Sequence, residues 1–138
     1  MADADCLFCK IVAGEVPATV VQEDERTVAF MDINPATPGH ALVVPRAHAR
    51  DLLEIEREDL DAVLAAAQRL ARRAKEVLQP DGINLLNSCG EAAWQTVFHF
   101  HVHVIPRYRD DPLQLPWKPG PGDPEEIKAT GARLKGGE

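Results

Sequence analysis

The segment VFHFHVHVIPR, Val97 to Arg107, decides how this chain is read. Three of the five histidines sit in it, at His99, His101 and His103, with Phe100, Val102 and Val104 between them. Successive side chains of a strand point to opposite faces. The pattern therefore predicts a last strand over Val97–Ile105, ended by Pro106, with imidazoles on one face and apolar groups on the other. A slip of one residue would bury all three imidazoles, so the alternation also fixes register. From the strand rise, adjacent imidazoles lie roughly 6–7 Å apart, and His99 lies about 13 Å from His103. His99 is thus free to serve a different site from His103.

Working outward, Ile83–Asn87 (INLLN) reads as a strand and Ser88–Gln95 as a loop. Leu60–Leu78 is the clearest helix, with Leu60, Val63, Leu64, Ala67, Leu70, Ala71, Ala74, Val77 and Leu78 in one apolar stripe. Acidic residues crowd its start and basic ones its end, as the helix dipole favours. Pro80-Asp81-Gly82 stops it, and no N-cap is evident. Ala18–Gln22 and Thr27–Met31 read as a β-hairpin around a polar turn, Asp32–Gly39 as a loop, and His40–Pro45 as a third strand. After Tyr108 the chain turns rich in Pro and Gly, with one short helix expected over Glu125–Leu134. The fold class expected is α+β: a mainly antiparallel sheet with one long helix packed on it. A single domain is expected, its core at about 6–108 and its tail at 109–138.

The 138 residues suit one compact domain. Apolar residues make up 45%, enough for a core, but aromatics only 5%, so that core must be largely aliphatic. A net charge of −7 argues against nucleic-acid binding, which needs a basic footprint. It leaves room for one phosphate held by local N–H groups. No run is apolar for long enough to cross a bilayer, and the start MADADCLFCK does not read as a signal peptide. No membrane partner and a cytoplasmic location are expected. Three cysteines do not suggest a disulfide framework, and Cys89 reads as a small buried apolar residue.

Four uses of the histidine face are open: an incidental polar surface, a catalytic metal on the H-x-H pair, a non-catalytic nucleotide sensor, and nucleophilic catalysis at phosphorus. The metal lacks an evident third ligand. A largely neutral imidazole is a good nucleophile at pH 7, and splitting a displacement into two steps is what nucleophilic catalysis achieves.

HFHVHVI, His99 to Ile105, resembles the signature of the histidine triad family of nucleotide hydrolases and transferases. CLFCKIVAGEVPA, VAFMDINPATPGHALVVPRAH and NSCGEAAWQTVFHFHVHVIPRY resemble its bacterial branch in order and spacing, from Cys6 to Tyr108. The resemblance implies a homodimer that binds a purine nucleotide and cleaves at its α-phosphorus. Substrates would be nucleoside phosphoramidates of the AMP-amine type, or dinucleoside polyphosphates as in other branches. A non-catalytic nucleotide-binding regulatory dimer is the alternative. His101 would attack phosphorus and carry the nucleotidyl intermediate. His103 would stabilise the phosphoryl oxygens by hydrogen bond or charge, and His99 would complete the triad.

The resemblance also gives Asp32 to the ribose hydroxyls and Phe30 and Ile33 to the base pocket, although a turn role and ordinary core packing fit these residues as well. Asn87 and Gln95 would lie near the phosphates. Thr96 would contact the phosphate or leaving group where the family often has serine. Trp94 stands where the family usually has glycine, and could narrow the substrate range by covering the leaving-group side. His40 corresponds to a histidine seen in some members; packing near the strand is the reading preferred. Cys6, Cys9, His48 and His99 match a structural Zn2+ site of bacterial relatives, a sound tetrahedral set. Trp117 would cover the partner subunit's site.

Overall fold

The computed structural model describes residues 3–136. Its elements run α1 (Leu7–Val12), β1 (Val20–Glu23), β2 (Thr27–Met31), β3 (Ala41–Pro45), α2 (Arg57–Leu78), β4 (Gly82–Leu86), a 3-10 turn (Glu91–Ala93), β5 (Val102–Arg107) and α3 (Pro124–Gly136). The strands form one antiparallel sheet in the order β1-β2-β3-β5-β4. This is the expected α+β arrangement, with the long helix on one face.

That face holds the first apolar cluster. Ala29 and Val43 from the sheet, Phe100, Val102 and Val104 from the triad segment, and Val63, Ala66 and Ala67 from α2 are all buried together. The small residues on α2 let the helix lie close to the sheet. Glu56 makes no side-chain cap bond at its start, whereas Gln79 closes its end in the left-handed region at φ 51°. Truncating Phe100, which is 1% exposed, would cost about 3–5 kcal/mol.

The opposite face carries the site. Its cluster joins Val28, Phe30, Leu42 and Val44 to Cys6, Phe8 and Cys9 of the α1 segment. Six residues are too few for a periodic signal, which is why α1 escapes sequence reading. Its cap is unusual: the Cys6 sulfur accepts the Cys9 N–H at 3.3 Å.

The triad segment corrects two expectations. β5 begins at Val102, not Val97, because residues 97–99 form a bend and the Phe100 N–H bonds the Ala49 carbonyl in the loop after β3. The histidine face is also not left in solvent: His99 is 0% and His101 6% exposed. Burial is tolerated because each ring finds a carbonyl partner, described below. At the other end β5 continues through Pro106 to Arg107. Pairing with β3 stops at Ala41–Val104, so Pro106 lies where β5 has only β4 beside it.

Gly39, at φ 94°, turns the chain into β3. A β-carbon there would stand 2.5 Å from Leu78 Cδ1 and 3.0 Å from Pro106 Cγ, so only glycine lets this turn seat against α2 and β5. Beyond Tyr108 the chain is irregular until α3, which buries none of its residues. Among the described residues no helix is long and apolar enough to cross a membrane. Cys89 is half-buried in the β4–β5 connection rather than buried as expected.

Candidate functional site

Backbone carbonyls and one backbone N–H fix the hydrogen on the rings of His99, His101 and His40, and His40 in turn fixes His103. His101 Nδ1 lies 2.7 Å from the His99 carbonyl, which can only accept, so Nδ1 carries the hydrogen and Nε2 keeps its lone pair. The Ala36 N–H donates to His40 Nδ1 at 2.9 Å, so His40 carries its hydrogen on Nε2. That hydrogen meets His103 Nδ1 at 2.9 Å. His103 must then accept at Nδ1 and donate from Nε2. Asp32 Oδ2 stands 3.4 Å from His40 Nε2, completing a polar chain Asp32–His40–His103.

Burial holds the rings neutral. It lowers His101 and His40 below the ordinary imidazole value, and takes His103 to about 4 with help from the neighbouring His101 and His40 rings. At pH 7 the site therefore offers a lone pair at His101 and a neutral N–H at His103, with ring centroids 5.1 Å apart. A neutral His103 can stabilise an anion by a hydrogen bond, not by charge.

Both rings border a cavity of about 380 Å³ roofed by α1. Leu7, Phe8, Ile11, Phe30 and Leu42 give it apolar walls, while Asp32 and Thr96 lie among its polar edges. Phe8 meets Phe30 edge-on at 5.4 Å and His101 at 5.1 Å, so it closes the cavity against the sheet. Ile33 lines the cavity yet is 90% exposed, a rim residue rather than core. Asp32 does two things at once: Oδ1 accepts from Asn34 N–H at 2.8 Å, the turn role, while Oδ2 faces His40.

Two other expected residues lie elsewhere. Asn87 donates its amide to the His101 carbonyl at 2.8 Å, supporting the backbone under the ring. Gln95 is 3% exposed, accepts from Gly90 N–H and donates to the Arg50 and Val97 carbonyls. Its amide is committed to tying the loop and is turned from the cavity.

His99 faces away from these groups. Its Nε2 donates to the Pro45 carbonyl at 2.8 Å, which leaves Nδ1 as a lone pair. That atom lies 3.3 Å from Cys6 Sγ and 3.5 Å from Cys9 Sγ, and His48 Nδ1 lies 3.4 Å from Cys9 Sγ. All four donor atoms fall within 4.8 Å of one another. A tetrahedral ion with ordinary bond lengths would set sulfur and nitrogen about 3.6 Å apart, so the cage has the right size for a metal. Burial pushes the Cys6 thiol up, and a thiolate there needs a cation beside it. The other group of donors close enough for an ion is Asp32, His40 and His103, where His40 and His103 are already hydrogen-bonded to each other. His101 is in neither.

The sequence matches the HIT domain family over residues 13–110. The chain belongs to the HIT family. "Protein hit" of Bacillus subtilis is 41% identical over 127 residues, covering 90% of this chain and 88% of that protein. "Adenosine 5'-monophosphoramidase hnt1" of Schizosaccharomyces pombe is 37% identical over 130 residues, 94% of this chain and 95% of that one. The crystal structure of a zinc-bound histidine triad family protein from Mycobacterium smegmatis superposes with a TM-score of 0.77 at 42% identity, over 97% of this chain and 98% of that one.

Within this HIT chain two residues mean more in the structure than in the sequence. His40 is not mere packing, since it is bonded to a triad histidine. Leu42 pairs with His103 across β3 and β5, so His40, two residues earlier on the same face, is its diagonal neighbour. Only the register reveals that. Trp94, in place of the usual glycine, nonetheless adopts the left-handed conformation, φ 75° and ψ 20°. The backbone is one that glycine adopts freely, and it carries a 62% exposed indole.

Proposed function

We propose that this HIT protein hydrolyses purine nucleoside phosphoramidates at the α-phosphorus through a nucleotidyl-His101 intermediate. The observation that carries this is the 2.7 Å bond from His101 Nδ1 to the His99 carbonyl, which aims an unprotonated Nε2 at the cavity edge. The base would lie among Phe8, Phe30 and Leu42, with Asp32 receiving the ribose hydroxyls. His101 Nε2 forms a bond to phosphorus as the P–N bond breaks, and the amine keeps that electron pair and takes a proton from solvent. Water then attacks phosphorus, the bond to Nε2 breaks, and the nucleoside monophosphate leaves. His103 Nε2–H donates to the phosphoryl oxygen where negative charge grows. Thr96 lies on the rim for the same oxygens or the departing group. The phosphoramidase name of the fission-yeast relative supports this bond type.

In this reading the four-donor cage holds structural zinc, and the zinc-bound state of the mycobacterial relative supports a zinc ion as its occupant. Zinc there would supply a fixed cross-link, tying the α1 segment to His99. Residues 6–108 form the catalytic domain, and the protein works as a cytoplasmic homodimer. The exposed apolar residues Leu64 and Val77 of α2 and Leu85 of β4 give such a dimer a face. The deciding experiment is mass spectrometry of protein quenched during turnover of an adenosine phosphoramidate. An adenylyl adduct on His101 is the expected result. Turnover with no adduct on any histidine would overturn the mechanism.

A further inference from the structure

Two of the four cage donors can also react with each other. Cys6 Sγ lies 3.3 Å and Cys9 Sγ 3.5 Å from the same atom, His99 Nδ1. All four donor atoms, the two sulfurs included, lie within 4.8 Å of one another. Cys6 caps α1 in an extended conformation and folds its sulfur back over the first turn, where it accepts the Cys9 N–H at 3.3 Å. The C-x-x-C spacing closes a disulfide by rotation of two side chains, with little movement of the backbone. Cys89 lies in the β4–β5 connection and outside this group.

The sulfurs are also within reach of a small oxidant. Both cysteines are buried, but Cys6 lines a second cavity of about 320 Å³, bordered by Asp3, Asp5 and His48. Cys9 does not line it. A hydroperoxide entering there meets Cys6 first. Cys9 Sγ accepts the Asp3 N–H at 3.3 Å, so each sulfur has a backbone donor that stabilises a thiolate. A cage that holds a cation keeps both sulfurs as thiolates, the form that attacks.

We propose that Cys6 and Cys9 are a peroxide-responsive disulfide site whose closure empties the cage and frees the α1 segment from His99. The inference rests on the zinc reading above. Cys6 Sγ, as thiolate, bonds one oxygen of hydrogen peroxide as the O–O bond breaks, and hydroxide leaves. Cys9 Sγ, as thiolate, then bonds the Cys6 sulfur as its S–O bond breaks, and the second hydroxide leaves. The two sulfurs give up two electrons, the peroxide takes them, and the hydroxides draw protons from solvent. His48 and His99 then remain as donors, too few for a tetrahedral structural site. His99 keeps its bond to the Pro45 carbonyl but loses its tie to the α1 segment, whose Leu7, Phe8 and Ile11 wall the cavity beside His101. Neither cysteine lines that cavity, so oxidation acts on it from outside.

The test treats the zinc-loaded full chain with hydrogen peroxide. It follows zinc release to a chelating dye, peptide mapping after alkylation, and AMP affinity by calorimetry. Zinc should leave, Cys6 and Cys9 should map as a disulfide with Cys89 still open to alkylation, and AMP affinity should fall about fivefold or more. A thiol reductant with added zinc should reverse all three changes, and Cys89→Ser should respond as the wild type does. Zinc that stays bound, Cys6 carried to sulfinic acid with no disulfide, a bridge to Cys89, or a disulfide that leaves AMP affinity unchanged would each overturn the proposal. A chain that takes up no zinc defeats the zinc reading instead; the mapped disulfide and AMP affinity then decide whether the thiol pair still acts on the cavity.

Discussion

His40 Nε2 stands 2.9 Å from His103 Nδ1, and this contact decides which nitrogen of His103 bears a hydrogen. The chain of reasons starts at Ala36 N–H, which occupies the other nitrogen of His40. A residue outside the triad thereby sets the polarity of a triad member.

His40→Ala should therefore lower kcat/KM by about ten- to a hundredfold, the range for a lost orienting partner. Adduct formation on His101 should slow in single-turnover experiments while AMP affinity changes little. Equal loss of AMP affinity and rate would mean that His40 only supports the pocket.

The pH dependence follows from burial. Attack requires a neutral His101, and burial lowers its pKa below the ordinary 6.5. The acid limb of kcat/KM should thus have its midpoint below that value. Stability should move the same way. His103 titrates near 4 in the fold, against about 6.5 when unfolded, so the unfolded chain binds more protons between those values. Its contribution is fully present above 6.5 and is lost as pH falls toward 4. A rate midpoint above 6.5 would contradict the neutral-nucleophile assignment.

Cys6→Ser removes one of four cage donors. Protein expressed with ample zinc should carry one zinc per chain by elemental analysis, and the variant much less. The melting temperature should fall on the order of 10 °C. Because α1 also roofs the cavity beside His101, AMP affinity should weaken too. A wild type that carries no zinc and melts at the same temperature with or without chelator would remove the metal from the account.

Trp94→Gly should leave the melting temperature unchanged or raise it. At φ 75° an L residue pays about 1–2 kcal/mol, which glycine avoids, although glycine adds unfolded-state entropy of similar size. A fall of more than a few degrees in thermal unfolding would show that the indole packs more firmly than its exposure indicates.

Much of this was legible in the chain itself. The apolar stripe of α2 is written in periodicity, and the exact span of β2 in its run of β-favouring residues. Cys6, Cys9, His48 and His99 do converge, though the resemblance, not spacing, gathered them. What escaped depends on long-range partners. α1 has no period because its six residues are organised by the cage and the sheet. The start of β5 shifted because Phe100 N–H found Ala49, 51 positions back, instead of a neighbouring strand. Gln95 looked like a phosphate ligand, but its amide proved to be spoken for by backbone groups that no local pattern announces. His40 needed the β3–β5 register.

His99 has its side chain in the cage and its carbonyl on His101. A screen that scores only product would class every defect at position 99 as a loss of catalysis. The ring does not line the cavity under α1, yet any drift of its backbone frees the His101 ring to rotate. Mutational maps of such a chain would therefore draw the active site one residue too large, counting an anchor among the reagents.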